Sequence, residues 1–566
     1  MKCHFGRREF MKAKIMKKRS KFVNYIIYVY VIAFVLYSFL GRILPISLFV
    51  GDKINSLIYI VFAVIGGGLI LADFFYTKKV VMTKNFFVLI LFVAAMVLSS
   101  IINCDMGYID NIKTIIWTII QITIFYSMYL RIDEKYISLV LKYFFVIISI
   151  LWTIAVTISL IQFVIQDAYM YDITGVGYRY QGFYENRLFG IFNDPNFAAI
   201  TSGYVLLMLS YVFLKMNKKW YKIALLSISF VFNLLYVLLS GSRTAYVGVS
   251  SAFFIFIFLI LKNYFVRKKH SLILSFLCAA FFIGMIIEII IPIKNIIVCI
   301  PETYMTNYAS KVGHGVQDKI LMKLLRERED VILYWQKSPL EINDEQTLED
   351  NGESIEVNQN NDKVNYESSE LQKDVASMLE ESVEKSNDEK NILKREDITS
   401  NNISNNRIEI WKEYLSGMKG RYLFGTSPRN MLCYFEKMET ASYVVERKYE
   451  IHNGYLAVFV GCGIVGSIPV IIFIYLVAKK ILNYCFKKQN IELEFIVTFS
   501  IICLILIYTM FFTELFFVNN LTTSIFWSLL GFLWIWLDKD DIEKKEGKVY
   551  GKLLEGRIKE NARTQS

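Results

Sequence analysis

The sequence predicts an all-α polytopic membrane protein with about twelve transmembrane helices, both termini in the cytoplasm, and one large external loop between the ninth and tenth helices. Three observations carry this expectation. Of 566 residues, 55% are hydrophobic and the mean hydropathy is +0.41, too apolar for a soluble chain of this length. Apolar runs of about 17–25 residues, each able to cross a bilayer core, recur along nearly the whole chain. Basic residues gather in alternate loops between those runs, as orientation in a membrane requires. The net charge of +11, placed in this way, points to a bilayer and not to nucleic acid.

In order, residues 1–21 form a basic cytoplasmic N-terminus holding Arg7, Arg8, Lys12, Lys14, Lys17, Lys18, Arg19 and Lys21. Residues 22–292 hold nine spans, at about 22–41, 56–76, 86–102, 112–130, 143–165, 198–214, 221–239, 244–261 and 271–292. The first run has no small-residue cleavage site after it, so it is expected to be retained. Lys78 and Lys79 follow the second span, Lys215, Lys218, Lys219 and Lys222 the sixth, and Lys262, Arg267, Lys268 and Lys269 the eighth. Arg131 and Lys135 mark the fourth more weakly. A medium external loop covers 166–197. Residues 293–453 form the large external loop, whose stretch 341–397 holds 18 acidic and 6 basic residues. So charged a segment cannot bury enough apolar surface to order its backbone, and it is expected to be disordered. Residues 454–537 add three spans at about 454–478, 495–513 and 521–537, with Lys479, Lys480, Lys487 and Lys488 after the first of them. Residues 538–566 form a cytoplasmic tail.

Three polar segments break the apolar pattern, and this topology puts all three at the external face. In Arg187–Asn196 (RLFGIFNDPN), the guanidinium can grip phosphate oxygens in a bidentate way. The run Asn193-Asp194-Pro195-Asn196 breaks the chain, and Asp194 or Asn196 can cap the sixth span. A helix N-terminus favours anions. Arg243 follows the tight turn Ser240-Gly241-Ser242 at lipid head-group depth, where a charge needs a partner or solvent. His452, beside Asn453 and Gly454, stands before the tenth span and could take a proton from a hydroxyl near neutral pH. The other external histidine, His314, has nothing around it that suggests a site. Each of these residues also has a plainer reading: Arg187 snorkelling to the interface, Arg243 anchoring it, His452 on a solvated surface.

The eight cysteines are scattered without CxxC spacing, so neither a disulfide framework nor a zinc site is expected. Gly461–Gly466 matches GxGxxG but lies inside an apolar run, not after a strand. Close packing of membrane helices explains it better than a dinucleotide. Arg407, Ile408, Ile410, Trp411 and Leu415 have the spacing of an amphipathic helix in the large loop.

In these segments the chain resembles the O-antigen ligase and O-antigen polymerase family of bacterial membrane glycosyltransferases. The likeness covers about 180–250 and 405–535. It rests on R-x-x-G-x-F-x-x-P-N at Arg187–Asn196, S-x-S-R at Ser240–Arg243, R-x-x-x-W at Arg407–Trp411 leading to Phe424-Gly425, and HNGYL at His452. The resemblance implies a GT-C-like helical fold and transfer of a glycan from undecaprenyl diphosphate to an acceptor at the outer face of the cytoplasmic membrane. It implies no nucleotide sugar, metal or other cofactor. The partners it implies are the lipid-linked glycan donor, a glycan acceptor, the bilayer and other polysaccharide-assembly proteins. In this reading Arg187 and Arg243 hold the departing diphosphate and His452 is the base. Arg407, Asn196, Asn193, Ser242 and Asn453 help to bind substrate. The acidic stretch 341–397 exceeds what the motifs require.

Rival readings are a flippase or other transporter, and a non-catalytic assembly or sensor protein. A transporter usually carries ionisable groups near the midplane and repeats in its halves. Here Asp73, Glu288 and Glu514 lie near helix ends, and no internal repeat is visible. Between polymerase and ligase the motifs do not choose; polymerase is favoured, with a ligase acting on another acceptor as the alternative.

Overall fold

The apolar runs become helices in the computed structural model of the chain, which describes residues 21–77, 83–165, 168–173, 177–184, 187–265, 271–308, 331–335, 406–437, 443–446 and 448–539. The acidic stretch 341–397, His314 and both charged termini lie outside the described residues. The helices in chain order are α1 (Lys21–Leu40), α2 (Leu44–Thr77), α3 (Phe86–Ile102), α4 (Tyr108–Ile120), α5 (Ile137–Val164), α6 (Pro195–Lys215), α7 (Trp220–Leu239), α8 (Arg243–Tyr264) and α9 (Ser271–Tyr308). In the second half come α10 (Arg407–Gly417), α11 (Met431–Lys437), α12 (Gly454–Lys487), α13 (Leu493–Thr509) and α14 (Leu521–Lys539). Among the described residues nine helical stretches are long and apolar enough to cross a membrane. Three more apolar helices, Phe86–Ile102, Ser271–Ile286 and Leu493–Thr509, are shorter. The protein is therefore a polytopic membrane protein.

Side chains such as Val64, Phe75, Ile101, Leu225 and Ile471 are apolar yet exposed, which suits a surface solvated by lipid. The centre of the bundle is α6, packed by α5, α7, α8 and α13. Its residues from Phe197 to Leu209 are buried without a break. A helix hydrophobic on every face belongs at a core, and this one places its N-terminus at the middle of one end of the bundle. Trp152 of α5 locks the approach to that end. Its indole stacks on Phe192 at 4.6 Å and donates to Ser202 Oγ at 2.9 Å.

Outside the helices the chain builds a small antiparallel sheet in the order β3-β2-β1-β4, from β1 (Tyr169–Ile173), β2 (Gly177–Tyr184), β3 (Arg187–Gly190) and β4 (Val331–Trp335). The medium loop is thus partly strand. Tyr169, Tyr171 and Ile173 alternate inward and form a second core with Leu44 and Leu48 at the start of α2, the period-2 burial expected of a half-covered sheet.

Two helices depart from regular form. In α2 the backbone breaks at Gly51 (φ 67°). In α12 it breaks at Gly463 (φ 63°, ψ −161°). The segment 422–426 docks at that second break. Ile464 N and Val465 N donate to the carbonyls of Tyr422 and Leu423, at 2.8 and 3.1 Å, and Thr426 N donates to Val460 O at 2.8 Å. From α3, Ser99 Oγ donates to Gly461 O at 2.7 Å. Backbone groups freed by the break are thereby paired, as they must be within apolar surroundings. The GxGxxG glycines serve this approach. A Cβ on Gly463 would stand 2.4 Å from Leu423 O, and one on Gly425 would stand 2.5 Å from Gly461 C. What they admit is a turn segment, closed by Gly425 N donating to Arg421 O at 2.8 Å, beside the helix α3 that also packs here.

Candidate functional site

The polar residues that open α6, α8, α10 and α12 meet at one end of the bundle. Asp194 caps α6 by accepting from Asn196 N at 2.8 Å, so of the two cap candidates it is the aspartate that serves. Pro195 follows in the first turn, where its missing N–H costs nothing. Arg187 reaches this cap from β3. Its Nη2 donates to Asn196 Oδ1 at 2.8 Å and its Nε to Ser240 O at 2.9 Å. The guanidinium therefore bridges the start of α6 to the α7–α8 turn. Gly241 (φ 62°) makes room for it, since a Cβ there would lie 3.3 Å from Arg187 Cγ.

Across that turn, Ser242 Oγ accepts from Ala245 N at 3.3 Å and caps α8. Arg243 is the first residue of the helix, half-buried beside Thr244. Thr244 Oγ1 accepts from Arg407 Nη1 at 3.4 Å, and the Arg407 guanidinium lies 4.8 Å from the Phe512 ring centroid. The His452 ring contacts the same Phe512 at 6.2 Å. The helix α10 fixes the histidine: Trp411 Nε1 donates to Ile451 O at 2.9 Å, and Tyr414 OH to Tyr449 O at 2.8 Å. After it, Asn453 Oδ1 accepts from the amides of Tyr455 and Leu456, both at 3.0 Å, capping α12.

His452 itself has φ 46°, a left-handed conformation that costs a non-glycine residue about 1 kcal/mol or more. Burial holds its imidazole below the ordinary histidine range. The nearby Glu450 and Asp194 carboxylates oppose that shift and Arg407 reinforces it. A neutral, proton-accepting ring is the result.

Sequence reasoning missed Arg42 and undervalued Glu514. Arg42 sits in the turn between α1 and α2, with its guanidinium 3.6 Å from the Phe197 ring centroid. Its Nη2 pairs with Glu514 Oε2 at 3.1 Å, and Asn520 Nδ2 donates to the same carboxylate. Burial pushes the Glu514 carboxyl above the usual range. Asp194 and Glu450 add to this, and Arg42 and Asn520 pull against it. Asp194 is the common neighbour, within electrostatic reach of Arg42, Arg407, His452 and Glu514. Asn193 points the other way: its Nδ2 donates to Gly41 O at 3.0 Å and its N to Arg42 O at 3.1 Å, which steadies the Arg42 turn. The signal that could have found Arg42 is the one that found Arg243, a lone arginine on a tight turn between two apolar runs.

The predicted residues thus divide. Arg187, Asn196, Arg407 and His452 converge around Asp194, and Arg243 precedes the Thr244 that Arg407 bonds. Ser242 and Asn453 act as helix caps, and Asn193 braces a turn. Among the described residues no three His, Cys, Asp or Glu side chains gather as metal ligands would. Arginines, three capped helix N-termini and one neutral imidazole make a place that can hold a multiply charged anion and remove a proton beside it.

No curated protein matches the chain. A family model described as O-antigen ligase matches residues 228–471, which include Ser240–Arg243, Arg407 and His452 and leave out Arg42, Arg187 and Glu514. Over residues 228–471 this polytopic membrane protein is similar to the O-antigen ligase family.

Proposed function

We propose that the protein is a glycosyltransferase that polymerises undecaprenyl-diphosphate-linked oligosaccharide repeats at the outer face of the bacterial cytoplasmic membrane. The observation that carries the reading is the meeting of Arg187, Arg407 and His452 around the Asp194 cap of the buried central helix. Its topology is twelve spans with both termini cytoplasmic. The loop of residues 293–453 and the site are then external.

In this reaction the acceptor hydroxyl oxygen attacks the anomeric carbon of the donor sugar, and the bond from that carbon to the diphosphate oxygen breaks. His452 takes the hydroxyl proton. The diphosphate leaves with the bonding electrons, and its developing charge is met by Arg187 and Arg243, with Arg407 beside them. Preorganised cations in a largely desolvated site are worth most at the moment charge develops. Losing one such donor typically costs about 10²–10³ in rate. Other family chemistry would differ only in the acceptor: a ligase would pass the finished glycan to another molecule.

A complementation experiment tests this. Cells lacking the protein are supplied with wild type, Arg243→Ala or His452→Ala, with membrane levels checked, and surface-polysaccharide lengths are compared. Single lipid-linked repeats should accumulate unless wild type is present. Long chains left on the carrier would identify a ligase. Full rescue by both variants would favour a transporter.

A further inference from the structure

The hairpin that carries Arg187 presents more than one arginine. Its inner side is anchored: Leu188 and Gly190 are buried, and Phe183 meets Phe163 of α5 at 4.9 Å. Ser159 Oγ accepts from Ile191 N at 3.1 Å, and Tyr236 OH of α7 donates to Phe189 O at 2.9 Å. Against that support stand three half-buried aromatic side chains, Tyr180, Tyr184 and Phe189.

Their arrangement requires a special backbone. Residues four apart on a regular strand lie about 13 Å apart, too far for their rings to touch face to face. The Tyr180 and Tyr184 rings nevertheless stack at 4.3 Å and 13°. A bulge makes this contact: the register of β2 against β3 shifts between Gly182 and Phe183, and Gly182 has φ 82°. Bulges beside sites re-aim side chains in this way. Phe189 joins the group at 5.6 Å from Tyr180. Arg187 completes it, 5.8 Å over Phe189 and directly opposite Tyr184 in the strand register. One side of the Arg187 guanidinium thus serves Asn196 and Ser240, and the other borders an aromatic surface.

We propose that Tyr180, Tyr184 and Phe189 form a sugar-binding platform that receives the glycan of the lipid-linked donor. A pyranose has a face of C–H groups and an edge of hydroxyls. The C–H face packs on an aromatic ring, and phenolic hydroxyls at the rim can bond to the edge. In a sugar diphosphate the first ring is attached directly to the phosphates. A ligand with its anion at Arg187 therefore brings its sugar to the neighbouring surface, which is this one. The proposal rests on the glycosyltransferase reading above. The competing explanation, aromatic side chains anchoring the hairpin at a membrane interface, is an outcome of the test.

The experiment uses the full-length protein in lipid nanodiscs. The probe is the phosphate-free oligosaccharide released by mild acid from the lipid-linked pool of the cells that make the protein. Saturation-transfer NMR reads contact with its ring protons, and initial rates with the intact donor give KM. Wild type should show transfer to the C–H protons of one sugar. Tyr180→Ala and Tyr184→Leu, which keeps bulk without an aromatic face, should lose it. They should raise KM by about threefold to tenfold, the weight of one stacking contact, with less effect on kcat. Tyr184→Trp should retain binding. Absence of transfer in wild type, or undiminished transfer and KM in Tyr184→Leu, overturns the platform. Lower thermal stability with unchanged KM identifies an anchor instead. Arg243→Ala in parallel keeps the two questions apart: its retaining full activity would sink the glycosyltransferase reading, whereas its inactivity together with neutral tyrosine variants would sink the platform alone.

Discussion

At the scale of single residues, His452 couples strain to chemistry. Its left-handed backbone and its burial set a ring that stays neutral until the medium is more acid than an ordinary histidine requires. As the base, it must be unprotonated in the free enzyme. The acid limb of kcat/KM should therefore lie below the ordinary value of 6.5. The same sign governs stability. A histidine held neutral by the fold contributes fully above its unfolded value and progressively less as the pH falls below it. His452→Gln should remove the limb together with about 10²–10⁴ of the rate. A limb at or above the ordinary histidine value, or one that survives the substitution, would show that another group titrates. Arg187 and His452 stand out in the sequence as polar residues ahead of apolar runs, and Arg407 through the amphipathic spacing of its loop helix. Glu514 was visible as a charge but not as a partner, since its guanidinium comes from Arg42 at the other end of the chain, and only the folded bundle joins them.

At the scale of elements, the break in α12 depends on Gly463 and Gly425, each set close against the backbone of the other's segment. Gly425→Ala forces a Cβ to within 2.5 Å of Gly461 C at a φ of 74°, where both the contact and the backbone conformation oppose it. A loss of about 1–3 kcal/mol is expected, read as a lower thermal midpoint in detergent. Gly420→Ala is the control: its φ is 82°, but nothing lies within 4 Å of the added carbon, so it carries the backbone penalty alone. Equal midpoints for the two variants would mean that close approach is not what Gly425 provides. The sequence showed the glycines and their helix but not what they admit, because the docking segment is not a helix and has no period of its own. The sheet was missed for a related reason. Its tyrosines do alternate, yet β1 completes its pairing with β4, far along the chain, and long-range pairing leaves no local mark.

At the scale of the molecule, charged pairs brace both ends of the bundle. Opposite the arginine-rich site, Arg131 pairs with Asp73 at 3.1 Å, with both side chains almost fully buried. Tyr28 OH donates to Arg131 O at 2.6 Å, and Arg131 Nη1 donates to Asn24 Oδ1 at 3.3 Å. Arg131 reads in the sequence as a weak orienting charge, and in the fold it is paired with a buried carboxylate. Asp73→Ala leaves that guanidinium buried without its carboxylate and should cost about 3–5 kcal/mol, whereas replacing both partners by apolar residues should recover much of the loss. Thermal unfolding of the two variants settles the point, and a single variant as stable as wild type would contradict it. The helices were the most legible level of all, since the twelve expected apolar runs fall on helices.

The docking at Gly463 also bears on how the protein is made. The first part of α12 is completed by backbone from residues 422–426, which leave the ribosome before the helix does. The open break therefore meets a partner that has already been synthesised. A circular permutant that delivered α12 first would ask the insertion machinery to hold unpaired peptide groups in an apolar setting until that partner arrived.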